Sequence, residues 1–488
     1  MIRRWYVLGL CVWAWAGPGW PGTSAHADSP SKADSARTVQ LTLHPAQEPE
    51  YALQYRFDTP YIDQRPGNGA LLYETAVSFL GQVGEDWAEV QEKIDQWHKA
   101  EPASLPMDEV RREVSRFQPA IHYLDLAGRC EECTWTFPIR EEGLRCIPPD
   151  LAGYRTLLRV LALKTRVSMA DGAMPDAIET LRIGLSMARD MGKGPTMIQA
   201  LVGVGTANGM VAELERLVQR PDAPNLYWAL TSLPQPLVDM RRALEMEAAM
   251  IYVEIPQLRT IETRVLSEAE LAEVWTKLCS LLGGDTGQEA TVKANTVAGA
   301  MRIYPEAKVD MEKRGKSHRE IEAMPVSQVV LIYELRKYHR LLDGASKWHY
   351  VPFWQVGDRF RQAKQAVFSD ESLNRVGSAG QAFWTLFPSL VGFGFLQEAR
   401  LERGIAMLRC VEALRIYAAG HQARLPQSLD EVTEVPIPMD PLRGSAFQYH
   451  LVGDKAVLES PPLAGEETRG VRYEITVKPV TERDAASH

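Results

Sequence analysis

The stretch RCEECTWTF, residues 129–137, sets Cys130 and Cys133 two residues apart with Glu131 and Glu132 between them. Thiols at that spacing can hold zinc, cycle as a redox pair, anchor a haem or flank a disulfide. Haem attachment needs histidine directly after the second cysteine, and Thr134 stands there. A redox pair wants its first cysteine at a helix N-terminus in a strand–helix–strand setting, whereas this stretch leaves a helical run and enters a loop. Zinc needs four ligands: Cys130, Cys133 and Cys146 give three, with His122 as the nearby fourth at an unusual spacing. In an oxidising compartment the favoured reading is a structural disulfide from Cys146 to Cys130 or Cys133. Cys279 and Cys410 fall on or beside apolar helix stripes and read as buried thiols.

Other chemical signatures are thin. The chain has no H-E-x-x-H, G-x-S-x-G or Walker A pattern. GVGTANG (203–209) spaces its glycines G-x-G-x-x-x-G with no strand before them, so it reads as helix packing, with Gly205 and Gly209 admitting a neighbouring helix. Ser378 in VGSAGQ lacks the nucleophile-elbow spacing. His339 and His349 are ten residues apart and His318 sits in the charged run KRGKSHRE, so no helical metal pair forms. Glu245 and Glu247, like Glu320 and Glu322, are two apart and point to different sides of a helix. No cofactor and no metal are therefore expected. Tyr227 and Trp228 in PNLYWALTSLP and Trp348 and Trp354 in KWHYVPFWQ are candidates for an aromatic carbohydrate or peptide groove, if the two stretches meet; core packing is the simpler reading.

The elements that must carry these residues begin with MIRRWYVLGLCVWAWAGPGWPGTSAHA. Arg3 and Arg4, an apolar run from Trp5 to Ala16, breakers from Gly17 to Gly22 and Ala25-His26-Ala27 give residues 1–27 the layout of a cleaved signal peptide. Retention as an N-terminal anchor is the alternative. Cleavage removes two arginines and no acid, taking the formal charge of −9 to −11. An acidic exported chain without a basic run is a poor partner for nucleic acid or anionic membrane. No later segment reads as a membrane span, since 196–214 carries Gln199, Asn208 and Glu213.

Residues 28–69 read as a polar leader with one or two short strands, at VQLTLH (39–44) and YALQYRF (51–57). Helical periodicity then holds over 70–395. It is clearest in AGYRTLLRVLALKTRVSMADG and MPDAIETLRIGLSMARDMGKG, where Gly172 closes one helix and Pro175 opens the next. Further helices are expected near 236–253, 267–282, 325–346, 353–368 and 394–420. Residues 396–480 form a long helix with a small β-hairpin module turning at Gly453-Asp454, with a third strand at 471–479, and 481–488 a disordered tail. The fold class is mainly α, an irregular array of antiparallel helical hairpins with a small α+β C-terminal module. One hairpin, around Ala177 and Leu181, is degenerately tetratricopeptide-like, with no second copy.

Five strings, FDTPYIDQRPGNGALLYETA, REEGLRCIPPDLAGYRTLLRVLALKTR, GPTMIQALVGVG, PNLYWALTSLPQPLVDMRRALEME and YPEAKVDMEKRG with IEAMPVSQVVLIYELRKY, resemble a family of uncharacterised exported helical proteins of planctomycete type. The resemblance spans nearly the whole mature chain and implies export and a helical fold, but no reaction, ligand or residue role. Residues 397–460, a long helix followed by HQARLPQSLDEV, DPLRG and a hairpin with Tyr449, are similar to the soluble tail of type II secretion pseudopilins. Pseudopilins carry that helix at the N-terminus, whereas here nearly 400 residues precede it and it bears Arg400, Glu402, Arg403 and Arg409, so filament assembly is not implied.

The expectation is a periplasmic or secreted, non-catalytic helical scaffold or binding protein whose partner is another exported or cell-envelope protein. The alternative is an enzyme acting on envelope polymers, its site assembled from distant residues. Differential alkylation of the mature chain is expected to reveal one reducible cysteine pair within 130–146. Three free thiols and no bound zinc there would exclude both the disulfide and the metal.

Overall fold

The computed structural model describes residues 37–479 apart from 83, 85, 144–145, 147–149, 282–288, 358, 360–361, 363–387 and 464–469. The signal-peptide segment, the leader before Arg37, Ser378, the 481–488 tail and the Cys279 side chain lie outside the described residues. The fold is mainly helical with a small C-terminal α+β module, as the periodicity predicts.

After strand β1 (Arg37–Leu43), a short two-stranded ribbon pairs β2 (Arg65–Asn68) in parallel with β3 (Cys130–Glu132). Helices α1 (Gly69–Ser78), α2 (Trp87–Lys99), α3 (Met107–Ser115) and α4 (Gln118–Gly128) then pack around the long helices α5 (Leu151–Ala170), α6 (Met174–Gly192) and α7 (Met197–Leu217). The connections at 171–173 and 193–196 are short because their ends are specified locally. Gly172 takes a φ of 70° after α5, Pro175 fits the first turn of α6, and Thr196 accepts the Gln199 N–H at the start of α7. Within α7, a Cβ on Gly203 would stand 2.7 Å from the Ala188 carbonyl oxygen and one on Gly209 would stand 2.8 Å from Leu158. Gly205 faces open space, so the close-approach pair is Gly203 and Gly209 instead of the expected Gly205 and Gly209.

YALQYRF is a series of turns and not a strand: Gln54 N–H closes back on Tyr51 O, and Tyr51 and Leu53 are exposed while Phe57 is buried. Alternating apolar residues mean little without a partner strand for the backbone. The middle of the chain continues with α8 (Tyr227–Thr231), α9 (Arg241–Glu254), α10 (Glu268–Leu281), α11 (Glu289–Lys313), α12 (His318–Glu322) and α13 (Val326–Ser346). The sequence reading did not single out α11, whose interior holds Pro305.

The closing helix α14 (Pro388–Gly420) serves two cores. Leu401, Ile405 and Leu408 join the helical core, while Met407, Cys410, Val411 and Leu414 join a second core under the sheet. That sheet runs β1-β6-β5-β4, from β4 (Gln448–Val452), β5 (Lys455–Ser460) and β6 (Val471–Val477). The β4–β5 hairpin turns at Gly453, whose φ of 67° suits a two-residue loop. β1 pairs in parallel with β6, Gln40 opposite Glu474, so the first strand of the expected leader belongs to the C-terminal sheet.

Two buried arginines tie these parts together. Arg166 on α5 pairs with Glu213 on α7, both almost without exposure, and donates to the Trp97 and His98 carbonyls at the end of α2. Arg415 on α14 pairs with Glu412 and donates to the carbonyls of His44, Ala223 and Pro224. Arg415→Met leaves the buried Glu412 carboxyl without its counter-charge and three buried carbonyls without a donor, and is expected to cost about 3–5 kcal/mol in urea unfolding. A cost under about 1 kcal/mol would contradict this account of the junction.

Candidate functional site

Proline ends α9: Ile255, ahead of Pro256, leaves the helical region, and the chain makes a single tight turn over Pro256–Arg259. Gly315, at φ 87°, closes α11 just beyond Arg314. α13 passes beside both, presenting Arg336, His339 and Arg340 at spacings of three and four, and thus on one face. Between these elements lies a cavity of about 590 Å³, floored by buried Leu258 and Leu335 and walled by polar side chains.

Its walls carry four guanidiniums, on Arg259, Arg314, Arg336 and Arg340. Arg336 grips Glu262 through two bonds of 2.8 Å and reaches Asp310, which also holds Arg314 at 2.9 Å. Hydrogen bonding from Arg336 keeps the Glu262 carboxyl below its ordinary value. Tyr252 and His339 hydrogen-bond through the phenol oxygen and Nε2, and the Arg259 guanidinium lies 5.5 Å from the centre of the Tyr252 ring. Four arginines against the carboxylates of Glu262, Asp310 and the nearby Asp343 leave this cleft positive in a chain of net charge −9.

Burial, reinforced by Glu262 and Asp343, pushes the Tyr252 phenol up. Strongly shifted acids occur elsewhere. Burial lifts Glu398 to about 8 and Glu402 to about 7, but these carboxyls accept the backbone N–H groups of Met240 and Leu237 ahead of α9. Glu247, also raised by burial, accepts the Met197 N–H that opens α7. These three acids hold helix starts and do not line the arginine cleft.

The sequence candidates lie apart from it. Tyr227 is fully buried in the core under the sheet, donates to the Pro436 carbonyl and meets Trp228 edge-on at 5.1 Å. Trp228 donates to Glu48. Trp348 packs on the helical core with Lys347 and Arg359 over its ring, and Trp354 rests on the Gly444 turn, where a Cβ would stand 2.4 Å from its ring. Among the described residues no ring contact joins Tyr227 or Trp228 to Trp348 or Trp354.

Cys130, Cys133 and Cys146 are thiols in the structure, as is Cys410. Cys130 lies on β3 with its Sγ at 3.4 Å from the Leu126 carbonyl, Cys133 is buried in the helical core, and Cys146 packs with Ile139 and Met250. Burial pushes all three thiols up, the opposite of what a reactive cysteine needs. Among the described residues no group of three or more His, Cys, Asp or Glu is placed to hold a metal ion.

No protein-family model matches the chain, and no curated protein or solved structure matches it either. No described helix is long and apolar enough to cross a membrane.

The raised acids give stability a definite pH dependence. The folded state keeps protons on Glu398 and Glu402 that an unfolded glutamate loses near 4.5, so their contribution is full below 4.5 and is lost as pH rises through about 7 to 8. Glu398→Gln with Glu402→Gln is expected to stabilise the fold at pH 8 by on the order of 1–2 kcal/mol and to flatten the decline between pH 5 and pH 8. An unchanged slope in urea titrations at the two pH values would refute the assignment.

Proposed function

We propose that the chain is an exported, non-catalytic binding protein of the cell envelope, and that the arginine cleft takes an anionic group of its partner. The observation that carries this reading is the excess of guanidinium over carboxylate in one cavity of an acidic chain. Unlike charges concentrated in a concave site attract and orient an anion, while the negative surface elsewhere repels it. The partner is another exported or envelope component bearing that group. The rival reading, an enzyme acting on envelope polymers, has the raised Glu398 and Glu402 in its favour, yet both acids are engaged with backbone amides away from the cleft. The location is periplasmic or secreted, after cleavage of residues 1–27.

In-cell cross-linking with mass spectrometry is expected to recover a reproducible envelope partner linked near α13. Recovery should fall several-fold for the Arg259→Ala/Arg340→Ala variant. A partner recovered equally well with that variant would place the interaction elsewhere, and recovery of no reproducible partner would count against a binding protein.

A further inference from the structure

The four guanidiniums of the cleft are not equivalent. Arg336 and Arg314 are neutralised from within, one by the two-pronged grip on Glu262 and the other by Asp310. Arg259 and Arg340 have no hydrogen-bond or ion-pair partner among the described residues. Arg259, exposed, stacks over the Tyr252 ring, and Arg340, also exposed, lies one helical turn beyond Arg336 on α13.

Two uncommitted guanidiniums therefore reach one cavity from separate elements, with the Tyr252–His339 pair as a third source of hydrogen bonds. A planar carboxylate is matched by a single guanidinium fork, and the fork of Arg336 already holds one in Glu262. Donors arriving from three places suit a group with three or more oxygens at tetrahedral angles and more than one negative charge. The cavity, about 590 Å³, is in the range of sites for whole small molecules, larger than a bare oxyanion requires.

Resting on the anion-binding reading above, we infer that the cleft recognises a terminal phosphoryl group carried on a larger molecule, bound between Arg259 and Arg340 with the Tyr252–His339 pair as the third donor. The phosphoryl group is either that of a soluble phosphomonoester or that of a lipid headgroup. Either source presents the same oxygens.

Titration calorimetry on the full mature chain separates the outcomes, with glycerol 3-phosphate, inorganic phosphate, citrate and acetate as soluble probes. Flotation with phosphatidylcholine vesicles containing or lacking phosphatidic acid tests the lipid source. Glycerol 3-phosphate is expected to bind more tightly than citrate or acetate. Arg340→Ala and Arg259→Ala should each weaken it about tenfold or more, and Tyr252→Phe less, with the helical circular dichroism of each variant unchanged. Flotation only with phosphatidic acid, lost in the same arginine variants, would support the inference with a lipid as the source. Citrate or acetate binding better than phosphate through the same arginines would overturn the phosphoryl assignment and leave the anion cleft standing. No anion binding at all, or binding indifferent to both arginines, would overturn both.

Discussion

Arg415 has no exposure to solvent, and three stretches of chain end on its guanidinium: the residues after β1, the Ala223-Pro224 loop that follows α7, and its own helix through Glu412. A bare guanidinium would be ruinous in such a place, and so would the three carbonyls without it. Each is tolerated only because the others are there. The group is therefore a junction that admits one arrangement of β1, α7 and α14, and the sheet is laid over that arrangement. Tyr473 and Arg37 repeat the logic at the other end of the strands, both bonding Glu215 on α7 at 2.6 Å.

With the helical core fixed in this way, the part of the molecule that departs from close packing is polar by construction. Pro256 stops α9, Gly315 stops α11, and the ends they leave cannot fill the space beside α13 with aliphatic side chains. Arginine suits such a place, since its stem can cover apolar surface such as Leu258 and Leu335 while its planar head meets carboxylates or remains open to a ligand. Arg336 shows the first use and Arg340, four residues later, the second.

The architecture was largely legible in the sequence because its signals are local. Ile178, Leu181 and Leu185 repeat at helical spacing, Gly172 and Pro175 punctuate the chain, and Gly453-Asp454 turns the hairpin. The misreadings share one cause, that the deciding contact is distant. Tyr51 to Phe57 alternate like a strand but meet no partner strand, and whether Gly203 or Gly205 faces a neighbour depends on where α6 lies. The cleft was illegible for the same reason, since Tyr252, Glu262, Arg314 and Arg340 come from separate elements. One trace of it was local: LRKYHR places Arg336, His339 and Arg340 on a single helical face. The aromatic stretches were more conspicuous, yet bulk and flatness are what cores as well as grooves require, and composition alone does not separate the two.

The parallel pairing of β1 with β6 has a kinetic meaning. Gln40 and Glu474, hydrogen-bonded across the two strands, are 434 residues apart in sequence. The helical hairpins can form from contacts between neighbours in the chain, but this pairing waits for β6 to arrive. A chain delivered from its N-terminus would hold β1 with an unpaired edge until β6 follows. Closure of the sheet then becomes a late step of folding, one that follows the delivery of every helix between β1 and β6.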